Sequence, residues 1–115
     1  MKIPKKIRIG SCDYNIEFTE NNLVADGKEC YATIDYNHHK IMINKNLGDT
    51  QQNELSFLYE VFHGIARERN LALEDEEFIV EEFARGLHQI IKDNLEIFKN
   101  DSSELSINNS KDKTE

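Results

Sequence analysis

The chain has 115 residues, a formal charge of −8 and 38% hydrophobic residues, the scale of a single domain with a modest core. It contains no apolar run long enough to span a membrane, and its basic start, Met1-Lys2-Ile3-Pro4-Lys5-Lys6, leads into no stretch of signal-peptide type, so a cytoplasmic protein is expected. Two cysteines, Cys12 and Cys30, form neither a disulfide framework nor a Cys-x-x-Cys pair, which leaves free, semi-buried thiols as the expectation.

The first half reads as strands. Lys6-Ile7-Arg8-Ile9-Gly10 alternates polar and apolar residues, and Tyr14-Asn15-Ile16-Glu17-Phe18 does so again after a bend at Ser11-Cys12-Asp13. Residues 21–28 read as a polar loop, with Asp26-Gly27 as a turn pair. Tyr31-Ala32-Thr33-Ile34-Asp35-Tyr36 is the third predicted strand. Asn37-His38-His39 then turns into the fourth, Lys40-Ile41-Met42-Ile43-Asn44. Short connections predict a small, mostly antiparallel sheet. His38 and His39 read as solvent-facing turn residues.

The second half reads as two packed helices. Asp49 or Thr50 caps the first, and Leu55, Leu58, Phe62 and Ile65 recur at steps of three and four, widened by Phe57 and Val61. Asn70 suits its C-terminal cap. The short linker Leu71-Ala72-Leu73 favours a close helix pair. Glu74, Asp75, Glu76 and Glu77 open the second helix and complement its dipole. Its predicted apolar stripe is Ile79, Phe83, Leu87, Ile90 or Ile91, and Phe98. From residue 99 the composition turns to Asn, Asp, Ser, Lys and Glu, the signature of a disordered tail. The expected fold class is therefore α+β, with one domain over 1–98 and a polar tail over 99–115.

Charge divides the same way. Residues 1–48 hold seven basic and six acidic residues, while residues 49–98 hold four and twelve, a net of −8. An acidic helical half repels phosphate, which argues against direct nucleic-acid binding, and it suits a basic protein partner.

One pattern carries chemistry. Tyr59-Glu60-Val61-Phe62-His63 is one residue away from His-Glu-x-x-His. In that motif, histidines at i and i+4 of a helix hold zinc and the glutamate serves as general base. On the second helix, Glu81, Arg85 and His88 share a face next to the apolar stripe. Glu60 also reads as a carboxylate that pairs with Arg67 or Arg85, and Tyr59 as a hydroxyl that donates to Glu81. His88 lies about two turns beyond Glu81, nearly 10 Å along the axis, too far for both to grip one ion.

Glu54-Leu55-Ser56-Phe57-Leu58-Tyr59-Glu60-Val61-Phe62-His63-Gly64-Ile65, followed by Val80-Glu81-Glu82-Phe83-Ala84-Arg85-Gly86-Leu87, resembles the small zincin-like metallopeptidases of phages and mobile elements. The resemblance extends over residues 1–98. It implies Glu60 at the general-base position, His63 as second zinc ligand and Glu81 as third. Tyr59 departs from the first ligand, and Arg85 from an asparagine. A zinc centre needs three protein ligands and an open position for water, and tyrosine ionises near pH 10, well above imidazole. The expectation is a catalytically inactive, zincin-like accessory protein, a pseudoenzyme that holds no cofactor and binds a protein partner, with a basic host factor as the partner its charge suits. The alternative is a zinc metallopeptidase with an atypical metal site.

Overall fold

The computed structural model describes residues 1–99, so the expected tail lies, from residue 100 onward, outside the described residues. The fold is α+β. A four-stranded sheet comprises β1 (Lys6–Ile9), β2 (Cys12–Thr19), β5 (Ala32–Asp35) and β6 (Lys40–Asn44). A separate hairpin pairs β3 (Leu23–Ala25) with β4 (Lys28–Cys30), and two helices follow, α1 (Thr50–Glu68) and α2 (Glu76–Asp93). Among the described residues no helix is long and apolar enough to cross a membrane.

The sheet order is β1-β2-β6-β5. Its two outer pairings are antiparallel and the central pair, β2 with β6, is parallel. The chain leaves β2, makes the β3–β4 excursion, comes back through β5 at the far edge and turns into β6, which slots between β5 and β2 in the direction of β2. Short links hid this parallel pair from sequence reasoning. The β1–β2 turn is Gly10-Ser11, with Ile9 opposite Cys12, one residue earlier than the expected bend. Gly10 sits at φ +61°, a conformation that costs glycine least. Residues 21–28, expected as a polar loop, instead hold β3 and the turn of the β3–β4 hairpin, which runs on to Cys30. Asp26 and Gly27 both have positive φ (53° and 74°), the requirement of a two-residue type I′ turn.

One sheet face is apolar. Ile9, Tyr14, Ile16, Ala32, Ile41 and Ile43 are buried there under Phe57 and Leu58 of α1. Ile41 and Ile43 are wholly inaccessible, and each such side chain stabilises the fold by about 1.5–3 kcal/mol through burial. Gly64 lets α1 lie close against this face, since a Cβ there would meet Ile9 Cδ1 at 2.9 Å.

Asp49 caps α1, its carboxylate accepting from Gln52 N at 2.8 Å. At the other end Asn70 adopts φ 56°, and Leu71 N donates to Ala66 O at 2.9 Å, a Schellman-type stop. The helix faces are rotated from expectation. α1 buries Phe57, Leu58, Glu60, His63 and Gly64 against the sheet, while Leu55, Val61, Phe62 and Ile65 are only partly covered. α2 buries Val80 and Ala84, backed by Leu87 and Ile91. Phe83 and Ile90 of the expected stripe are exposed, as is Phe98, because the small Ala84 is what permits close approach to α1.

Candidate functional site

The rotation of α1 brings Glu60 and His63 onto its sheet-facing side, where they are 6% and 8% exposed. Tyr59, one turn before His63, packs edge-on against its ring, centroids 4.6 Å apart. The first turn of α2 faces this group. His63 Nδ1 lies 2.6 Å from Glu76 Oε2. A carboxylate only accepts, so that nitrogen carries the hydrogen. His63 Nε2 lies 3.5 Å from Glu77 Oε1, and the same oxygen accepts the Tyr59 hydroxyl. Glu77 therefore sits between phenol and imidazole. On the sheet side, the Tyr36 hydroxyl donates to the His63 carbonyl at 3.4 Å, with Arg67 stacked 4.4 Å over the Tyr36 ring.

Burial dominates the electrostatics. It raises Glu60 to about 8, with help from the neighbouring charge of Glu77. Tyr59 is likewise pushed well above the ordinary phenol range, first by burial, then by its hydrogen bond to Glu77 and the charges of Glu77, Glu60 and Glu81. Its phenol is held protonated, the opposite of what a phenolate ligand requires. Tyr36 is pushed up to about 12, by burial first and by Glu76 and Glu60 next.

Tyr59 and Glu60 stand between two hollows. One, of about 420 Å³, is lined by Tyr31, Ala32, Gln52, Ser56, Glu81 and Arg85 among others. The second, of about 490 Å³, is bounded by the tip of the β3–β4 hairpin, by β5, and by His63 and Glu77. The two remaining expected ligands thus border different hollows. Glu81 is exposed and engaged by Arg85, with Nη2 2.7 Å and Nε 3.2 Å from Oε2. His63 has a carboxylate at each nitrogen. His63 and Glu81 do not form a ligand pair in this arrangement. Among the described residues, no group of three or more His, Cys, Asp or Glu side chains has metal-holding geometry.

Other expectations resolve as follows. The Tyr59 hydroxyl goes to Glu77, not Glu81. No described hydrogen bond or ion pair joins Glu60 to Arg67 or Arg85; Arg67 stacks on Tyr36 and Arg85 holds Glu81. His88 pairs with Glu54 at 2.9 Å. His38 closes an exposed turn with Asp35, whose carboxyl it draws below the usual carboxylate range. His39, also exposed, lies edge-on to Tyr14. Cys12 and Cys30 are free and half-buried. The residues that sequence reasoning missed are Glu76 and Glu77, read there only as dipole-complementing acids. Their signal was present: Glu77 is four residues before Glu81, hence on the same helix face.

No protein-family model, no curated protein and no solved structure matches this chain.

Proposed function

We propose that the chain is a zincin-like pseudoenzyme, an accessory protein of phage or mobile-element type that acts by binding a basic protein partner, such as a host factor it inhibits. The observation that carries this reading is the Glu77 carboxylate lodged between Tyr59 and His63. A catalytic centre of the kind the motif resembles needs imidazole at position 59 and a free Nε2 at His63. Here a neutral phenol and a carboxylate take those roles. Glu60, the residue at the general-base position, is buried. The acidic second half of the chain supports a basic partner through long-range attraction.

Two measurements test it. Metal analysis of protein purified without chelator is expected to find far less than one equivalent of zinc. Stoichiometric zinc, with proteolysis lost in Glu60→Gln, would establish the metallopeptidase alternative instead. The double variant Tyr59→His with Glu77→Ala restores the imidazole and frees His63. Zinc uptake by that variant alone supports the ancestry, and none at all removes it. For the partner, the protein serves as bait in host lysate; a partner released by salt is expected, and no enrichment at any ionic strength rejects the binding role.

A further inference from the structure

Among the described residues Glu60 is the one carboxylate residue more than nine-tenths buried. No described hydrogen bond or ion pair holds its side chain, and its oxygens are not sealed from solvent, since the one fully buried side-chain polar atom without a partner is Asn53 Oδ1. An unpartnered buried carboxyl costs stability, and native proteins rarely keep one without a role. Glu60 lines both hollows beside Tyr59, so its carboxyl is reached from the clefts and not from the apolar core. The charges around these hollows are Glu77, Glu81, Asp26 and Glu29 against Arg85 and Lys28. Arg85 is already tied to Glu81. In the 420 Å³ hollow Glu81 and Arg85 neutralise each other, while Glu77, Asp26 and Glu29 outnumber Lys28 around the adjoining 490 Å³ hollow, an acid excess that disfavours phosphate or carboxylate ligands at Glu60. Tyr31 and Tyr59 supply aromatic walls in the 420 Å³ hollow, a volume within the roughly 300–1,000 Å³ of ligand clefts.

We infer that this cleft receives a guanidinium group, the arginine side chain of a protein partner, with Glu60 as its counter-ion and the two tyrosines as its flanks. A planar guanidinium meets all three features. It pairs with a carboxylate through two parallel N–H donors, so that its arrival favours loss of the proton that burial keeps on Glu60 in the empty cleft. It also stacks on aromatic faces and is less strongly hydrated than an ammonium. The inference deepens the partner-binding reading and rests on it for the arginine's source.

The test uses the full chain and a small probe, N-acetyl-arginine N-methylamide, with the neutral citrulline analogue as its isostere, followed by amide-resolved NMR titration. The arginine amide is expected to bind in the millimolar range, as suits so small a ligand. It should shift amides near residues 31–32, 56–60 and 81–85, and outbind the citrulline amide by about tenfold or more. Glu60→Gln is expected to abolish that preference, while Asp13→Asn, on the exposed sheet face, leaves it intact. Equal binding of the two amides to the unaltered protein, or a preference that survives Glu60→Gln, overturns the site. The first of these comparisons needs no variant. An arginine amide that binds while lysate yields no partner removes the partner-binding reading and keeps the site. A partner captured by a protein indifferent to the amide does the reverse.

Discussion

Two histidines bridge α1 and α2, and they do so differently. His88 of α2 meets Glu54 of α1 at 2.9 Å, and Glu54 also lies 3.5 Å from the amine of Met1. Both side chains are about seven-eighths buried, and the one buried polar atom left without a partner beside them is the neutral Asn53 Oδ1. His63 of α1 meets Glu76 of α2 at 2.6 Å, but around it stand a second carboxylate, a phenol and the unpartnered Glu60. The first pair is a closed polar staple. The second is a surplus of acid at the edge of a cleft. A satisfied buried pair fixes the packing of two elements, whereas a buried carboxyl among half-exposed acids costs stability whenever it ionises.

The largest expected effect comes from removing the surplus. Below the ordinary carboxylate pKa of 4.5, Glu60 is protonated in both the folded and unfolded states. Between there and about 8 the folded protein keeps a proton that the unfolded chain has released, so stability falls as pH rises. The loss over that window is on the order of 3–5 kcal/mol. Glu60→Gln, with the same shape and no charge, should flatten this slope and raise stability most at the alkaline end, as read by urea unfolding over a pH series. A slope identical to that of the unaltered protein would erase the contrast between the two clusters.

Breaking the staple comes next. His88→Ala leaves Glu54 buried beside only the Met1 amine and is expected to cost about 3 kcal/mol. His63→Ala should cost less, about 1–2 kcal/mol, because Glu76 is one-third exposed and water can solvate it. The reverse order in thermal unfolding would mean that the cleft cluster, not the staple, holds the helices together. Tyr59→Phe removes one hydrogen bond to Glu77, a carboxylate three-quarters exposed, for a loss of about 1 kcal/mol or less. Arg85→Ala breaks a surface pair with Glu81, both side chains about half exposed, and should leave the melting temperature nearly unchanged, as the loss of surface pairs of this kind usually does.

Much of the fold was legible in local pattern. The strand Lys40–Asn44 matched in both bounds because alternation and a preceding turn agree there. Asp49 and Asn70 marked the ends of α1 through capping chemistry that acts over three or four residues. The β3–β4 hairpin was obscured because its strands are three residues long, too short to show an alternating pattern. The rotation of α2 was not legible either. Phe83 outweighs Ala84 in any hydrophobic count, yet the tight contact with α1 selects the smaller side chain. At the site, Tyr59, Glu60 and His63 were found from spacing within one helix. Glu77 could be placed on the face of Glu81 from spacing, but that Glu76 and Glu77 meet His63 and Tyr59 depends on how the two helices pack, which no local pattern encodes.

α2 begins at Glu76 without a side-chain hydrogen bond from its N-cap residue, Asp75. Its opening turn is fastened instead by Glu76 and Glu77 to His63 and Tyr59, while Tyr36 pins the His63 backbone to the sheet. The same two carboxylates thus act as doorpost and hinge pin. Anything that draws Glu77 aside from the 490 Å³ hollow it borders loosens the start of α2, so amide exchange at residues 77–80 becomes a gauge of whether that hollow is filled.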